Sequence, residues 1–195
     1  MDALELLRTR HSALKVGGPP PSAEAVQAML ESAARAPDHG RLRPWRLLLI
    51  EGNARHALGE VLAEGLSQRN PSASAEALGR ERERAVRAPL IIVVATRADL
   101  SARIPLIEQI VSAGAAAHSI MLAAFAQGLG AMWRTGEPAY DHVVKSALGV
   151  GPDDLIVGFI YVGTDMGGLP SRPPPAVQEF AHYWTGGGRT VPAAW

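Results

Sequence analysis

Four residues near the start of the chain have side chains that suit phosphate binding. The sequence RTRHS places Arg8, Arg10, His11 and Ser12 within five positions, where a predicted first helix ends. Guanidinium, imidazole and hydroxyl groups together can hold a phosphate through charge-assisted hydrogen bonds. The alternative is that Arg8 and Arg10 are solvated and only favour the negative end of the helix. The spacing alone favours this alternative, so both interpretations stay open at this point.

The connection between residues 35 and 46 holds more charged and aromatic side chains than a turn requires. Pro37 ends a predicted helix, Gly40 relaxes the turn, and Pro44 starts the strand WRLLLI. These backbone roles leave the following side chains unexplained: Arg35, His39, Arg43, Trp45 and Arg46. Because surface loops carry function more often than cores do, this turn is a second candidate site.

A third candidate is the sequence MWRTG, which sets Trp133, Arg134 and Thr135 at the edge of an apolar segment. A structural strand explains these residues as well as a ligand contact does. The nearby GLGAMW begins with G-x-G but ends a helix instead of following a strand, so it is not a dinucleotide fingerprint.

Several classes of function are excluded by composition. The chain has no Cys, so thiolate nucleophiles and thiolate metal sites are absent, which suits a cytoplasmic protein. None of the six histidines is three or four positions from another, and the sequence holds no hydrolase, zinc-protease or P-loop signature, so no metal site is expected. Nineteen basic residues balance nineteen acidic ones, which predicts no nucleic-acid or acidic-membrane partner. The charged, amphipathic first residues do not form a secretory signal.

Strands alternate with helices along the chain. Apolar runs predict buried strands at WRLLLI, at residues 89–95 and at residues 155–164, with a short strand around AMWRTG. Ser22 and Asn53 are expected to cap helices. The Ala-rich segment 104–133 predicts a long central helix, which we expect to be buried in protein and not in lipid, since Ala and Gly gain little from lipid transfer. This order predicts an α+β domain with three layers, α/β/α, in which helices flank a central sheet.

We expect residues 1–195 to form one domain. The C-terminal tail, residues 170–195, is rich in Pro and Gly, yet it carries Phe180, Tyr183, Trp184 and Trp195. Because so apolar a tail is seldom free in solvent, we hypothesise that it wraps a neighbouring subunit.

Five segments occur in an order and spacing that resemble the FMN-dependent nitroreductase family, in particular its small single-domain branch. They are RTRHS, RAPDHGRLRPWRLLLIEG, RAPLIIVVA, EQIVSAGAAAHSIMLAAFAQGLGAMWRTG and IVGFIYVGT, and they cover nearly all of residues 1–165. The resemblance implies a nitroreductase-like flavoprotein fold. It also implies a homodimer with the Ala-rich helix at the interface and with FMN shared between the subunits.

The resemblance also implies roles for single residues. The family's R-R-S phosphate-binding triplet maps onto Arg10, His11 and Ser12, with His11 in place of the second arginine. Arg35 and His39 match loop positions that reach the flavin bound mainly to the other subunit. Trp133, Arg134 and Thr135 match a further FMN-contacting strand, and residues 123–128 match a stretch associated with the nicotinamide cofactor. Arg8 then becomes a helix-end charge.

The function implied is that of a flavin oxidoreductase. NAD(P)H would reduce bound FMN, which would then reduce a small acceptor such as a nitroaromatic or a quinone. Because FMN itself carries the chemistry, no catalytic acid, base or nucleophile is expected. Two alternatives remain: a flavin-consuming or dehalogenating member of the same fold, and a non-catalytic flavin-binding dimer.

Overall fold

An antiparallel sheet forms the centre of the fold in the computed structural model, which describes residues 2–167 and 175–193. Strands β2, β3 and β5 pair in that order, and β4 and β1 share the far edge of β5. The strand bounds are β1 Val16–Gly17, β2 Trp45–Glu51, β3 Leu90–Thr96, β4 Gly130–Arg134 and β5 Ile156–Asp165. The strands that the apolar runs predicted are therefore confirmed.

Helices connect these strands. Their bounds are α1 Ala3–Thr9, α2 Ala23–Ala33, α3 Ala54–Arg69, α4 Ala75–Ala85, α5 Leu106–Ala126 and α6 His142–Ala147. Ser22 caps α2 as predicted, since its hydroxyl accepts a hydrogen bond from the Ala25 amide at 3.2 Å. The cap predicted at Asn53 is wrong: its side chain makes no capping bond, because its backbone is already helical and not extended.

The two faces of the sheet are covered by different helices, which confirms the predicted three-layer α+β architecture. Side chains alternate along β3 and β5, so that Ile91 and Phe159 lie on one face while Ile92 and Ile160 lie on the other. The first face packs against α3 and the second against α2 and α5. The helices therefore form two layers, one on each face of the sheet.

Strand β2 differs from its prediction as a strand buried on both faces. It pairs only with β3 among the described strands, so it is an edge strand, and Arg46 and Leu49 are exposed. The run WRLLLI is apolar enough for a central strand, but an apolar run does not reveal how many neighbours its strand has.

Helix α5 is the central Ala-rich helix, with 21 residues and a length of about 31 Å. Ala113, Ala116 and Ala117 are fully buried against the sheet, while Ile107 and Val111 on another side are each 64% exposed. By length and composition alone, α5 is the one helix among the described residues that could cross a membrane, and 44% of its apolar window is buried in the protein.

The described part of the tail forms a small hairpin of β6 (His182–Trp184) and β7 (Thr190–Pro192). Tyr183 and Trp184 are exposed on the hairpin, and Phe180 is exposed just before it. Trp195 lies outside the described residues, and the wrapping of a neighbouring subunit stays a prediction.

A buried ion pair joins α3 to the start of α6. The Asp141 carboxylate is 1% exposed and pairs with the Arg69 guanidinium. The same carboxylate caps α6 by accepting from the Val143 amide at 2.7 Å. Gly65 faces the pair, and a Cβ there would lie 2.7 Å from an Asp141 oxygen. A glycine at this position therefore leaves the space that the ion pair occupies.

Replacing Asp141 should destabilise the protein, because it removes the cap and leaves Arg69 without its partner. We expect Asp141→Ala to lower the free energy of unfolding by about 3 kcal/mol in urea titrations. The control is Glu76→Ala, which breaks an exposed pair with Arg80 and should change it by less than about 0.5 kcal/mol. A loss below about 1 kcal/mol for Asp141→Ala would show that the pair contributes little.

Candidate functional site

We call Arg8, Arg10, His11 and Ser12 the N-terminal cluster. It lies where the end of α1 meets the sheet. The Ala13 amide donates to the Ala131 carbonyl at 2.9 Å, which ties this segment to the start of β4. His11 Nε2 lies 3.6 Å from Asp165 Oδ2, and its ring meets Phe125 edge-on with the centroids 5.1 Å apart. His11 is therefore fixed between β5 and the end of α5.

The neighbours of His11 have no such partners. Within residues 2–167 and 175–193, neither the Arg10 guanidinium nor the Ser12 hydroxyl makes a hydrogen bond or an ion pair. Arg8 is exposed on the last turn of α1. The cluster thus offers two free donors beside a histidine whose position is set by an acidic side chain.

A cavity of about 380 Å³ opens at the other end of β4. Its lining includes the apolar side chains of Leu62, Met132 and Phe159. Its polar lining includes three arginines and the predicted site strand: Arg84, Arg87, Trp133, Arg134, Thr135 and Gly136. An apolar floor with a cationic rim suits a flat apolar ring system that has electron-rich polar edges.

Arg84 and Arg87 were missed by the sequence analysis. They belong to a stretch of alternating charges, RERERAVR, which is typical of a solvated helix face. One signal in the sequence could have identified them. Arg84 and Arg87 come just before the fully buried strand β3, so these cations lie beside the core.

The Tyr161 phenol lies close enough to all three arginines of the cavity for their charges to affect its pKa. Burial raises the pKa of the Tyr161 phenol, while the nearby charges of Arg84, Arg87 and Arg134 oppose that rise. Arg84 also lies 3.1 Å from Glu81, so part of its charge is balanced. Arg87 and Arg134 have no acidic partner among the described residues, which leaves the cavity with net positive charge.

Trp133 has a structural role within this strand. Its indole N–H donates to the Val157 carbonyl at 3.1 Å, and its ring lies across Gly158, where a Cβ would overlap it. Because side chains alternate along β4, Met132 packs on the opposite face of the sheet from Trp133.

The turn that follows α2 lies against the first half of α5. His39 Nδ1 is 2.6 Å from Glu108 Oε2, and a shallow apolar hollow beside it is lined by Pro37, Ile107 and Val111. Arg35 is exposed at the start of this turn. Among the described residues, no group of acidic or histidine side chains could hold a metal ion.

The structure does not bring all the predicted residues together within one chain. His11 contacts Phe125 near the end of α5, whereas His39 contacts Glu108 near its start. Seventeen positions along a helix correspond to about 25 Å, more than the length of one FMN molecule. Residues 123–128 lie at the end of α5 that His11 contacts.

Comparison with known proteins agrees with the resemblance. The chain is 40% identical over 164 residues to the Escherichia coli K12 protein named "Putative NAD(P)H nitroreductase YdjA", covering 84% of this chain and 88% of that protein. A Bacillus cereus nitroreductase-like family protein superposes with a TM-score of 0.83 at 20% identity, covering 95% of this chain and 97% of that one.

A second solved structure, described as a putative nitroreductase in complex with FMN from Desulfovibrio desulfuricans, has a TM-score of 0.68 and 27% identity, covering 89% of this chain and 93% of that one. The model of the nitroreductase family matches residues 7–164. With this match over most of its length, the chain belongs to the nitroreductase family of oxidoreductases.

Proposed function

We propose that this protein is a homodimeric FMN-dependent oxidoreductase that takes a hydride from NAD(P)H and reduces a small acceptor such as a nitroaromatic or a quinone. The observation that carries the proposal is the cavity at the end of β4, in which Arg134 and Thr135 meet Arg84 and Arg87 around an apolar floor. The FMN-bound relative and the NAD(P)H in the name of the E. coli relative support the same choice of cofactor and reductant.

The donor set suits FMN at both ends of the molecule. Arg134, Thr135 and the apolar floor would hold the ring, while Arg10 and Ser12 would hold the phosphate with charge-assisted hydrogen bonds. The two sets lie at opposite ends of β4, a strand of five residues and about 17 Å, so an extended cofactor can reach from one to the other. His11, held beside Asp165, would orient the phosphate loop and add less positive charge than a second arginine.

The distance between His11 and His39 supports a site shared by two subunits. The phosphate of a flavin held by Arg10 would lie about 25 Å along α5 from His39 of the same chain. In a twofold dimer that buries the exposed Ile107 and Val111, Arg35 and His39 of the second chain would contact that flavin.

Bound FMN would supply the redox chemistry by holding two electrons between their removal from the nicotinamide and their delivery to the acceptor. The protein's residues would bind and orient. Arg87 and Arg134 would stabilise negative charge at the polar edge of the ring, and buried Tyr161 would keep water from that side.

The purified protein should show a flavin absorption spectrum that bleaches under anaerobic addition of NADPH or NADH. A second substrate, a quinone or a nitroaromatic, should then restore the colour. A flavin spectrum that neither nicotinamide bleaches would favour the non-catalytic flavin-binding dimer. Protein that is colourless and takes up no added FMN would contradict the proposal.

Arg10→Ala should weaken FMN binding by about 2 kcal/mol, or about 30-fold in Kd, because a hydrogen bond to a charged phosphate is lost. The measurement is a fluorescence titration of apoprotein with FMN. Arg80→Ala serves as control, since it removes the same charge from the exposed side of α4. Equal affinity in both variants would show that Arg10 does not hold the phosphate.

Arg87→Met should make bound FMN harder to reduce, since a positive charge beside the ring favours its anionic reduced form. We expect a midpoint potential lower by about 30 mV, equivalent to about 1.4 kcal/mol for two electrons. Arg80→Met on the outer side of α4 should leave the potential unchanged. If both variants keep the parent potential, Arg87 does not lie beside the ring.

A further inference from the structure

Four exposed arginines lie on and beside the turn that carries His39. We call residues 38–44 the arginine turn; it holds Arg41 and Arg43, both exposed. The loop of residues 97–103 lies against it, since the Arg97 amide donates to the Pro44 carbonyl at 3.0 Å. Arg97 and Arg103 of this loop are exposed as well. The two segments therefore present four guanidinium groups in one region of the surface.

These four arginines form no ion pairs within the described part of the chain. Within the described residues, no carboxylate lies within 4.0 Å of any of the four guanidinium groups, and none of them makes a hydrogen bond. The nearby acids have other partners: Asp38 accepts from the Arg43 amide at 2.8 Å, Glu108 pairs with His39, and Asp99 accepts from Ser101. Asp153 and Asp154 line a hollow together with Arg97, and neither forms an ion pair with it.

The backbone holds two of these arginines in an unfavourable conformation. Arg41 has φ 57° and Arg43 has φ 51°, and they are the non-glycine residues with positive φ in the described part of the chain. An arginine in this region costs conformational energy that a glycine or asparagine would largely avoid. Side chains kept at such positions are a frequent mark of ligand-binding segments.

We propose that the arginine turn binds the 2′-phosphate of NADPH, so that the reductant is NADPH in preference to NADH. The inference rests on the proposed function, in which His39 contacts the flavin held by the other subunit. If a nicotinamide stacks on that flavin beside His39, the rest of the dinucleotide would extend towards the residues that follow His39. NADPH differs from NADH only by the 2′-phosphate, a dianion that guanidinium groups bind through paired charge-assisted hydrogen bonds.

The test compares two nucleotides that differ only in this phosphate. We would titrate FMN-saturated protein with adenosine 2′,5′-bisphosphate and with adenosine 5′-monophosphate by calorimetry at low salt. The bisphosphate should bind at least tenfold more tightly, and its advantage should shrink at high salt because the contacts are exposed.

Two substitutions remove the arginine side chains while keeping the backbone conformation of the turn. Arg41→Gly and Arg43→Gly accept the positive φ, so the turn should keep its conformation while losing its charge. The doubly substituted protein should bind the two nucleotides within about twofold of each other. Arg80→Ala, which removes one exposed arginine from α4, should retain the tenfold preference.

Each outcome decides the inference. Equal binding of the two nucleotides by the parent protein, or an unchanged preference in the doubly substituted protein, would overturn it. Because the titration needs no turnover, a failure of the proposed function would be visible separately. If the protein takes up no FMN, the same titration is made without FMN, and a tenfold preference for the bisphosphate there would retain the phosphate site while refuting the flavin reaction.

Discussion

The pairing of β4 with β5 determines where the N-terminal cluster and the arginine-rimmed cavity lie. Its register sets Met132 beside Tyr161 and Gly130 beside Gly163. The two glycines are needed, because a Cβ on Gly163 would lie 2.5 Å from the Gly17 carbonyl oxygen and one on Gly130 would lie 2.9 Å from Asp165. This close approach lets β1 share an edge with β4. The N-terminal cluster is thereby attached to one end of β4 and the arginine-rimmed cavity to the other.

Much of the fold follows from local sequence signals. The apolar run at β3, the Ser22 cap of α2 and the Ala-rich α5 all fold as their patterns predict, because each signal depends on residues within one element. The exposure of β2 and the missing cap at Asn53 could not be predicted in this way. The exposure of β2 depends on its having a single neighbour among the described strands, and the missing cap depends on the helical backbone of Asn53.

Only candidate residues that belong to a recognisable sequence motif could be predicted. Arg10, Ser12, Arg134 and Thr135 were candidates from residue type and spacing, the resemblance implied their FMN roles, and the structure leaves their side chains accessible. Arg84 and Arg87 were missed, since their place in the cavity beside Phe159 and Tyr161 of β5 is a tertiary contact that the alternating charges of α4 do not encode. Trp133 stays a predicted FMN contact, and the structure adds a role that its residue type did not reveal, since its indole N–H donates to the Val157 carbonyl and its ring lies over Gly158.

The length of α5 has a consequence for assemblies of unlike chains. Under the proposed dimer, each of the two sites takes its phosphate and ring contacts from one chain and its His39 contact from the other. A chain damaged near Arg10 and a chain damaged near His39 each spoil both sites of their own homodimer. Mixed in one dimer, they leave one site carrying both defects and one site fully intact. Each mixed dimer, assembled from two inactive proteins, would thus keep half of the activity of a normal dimer.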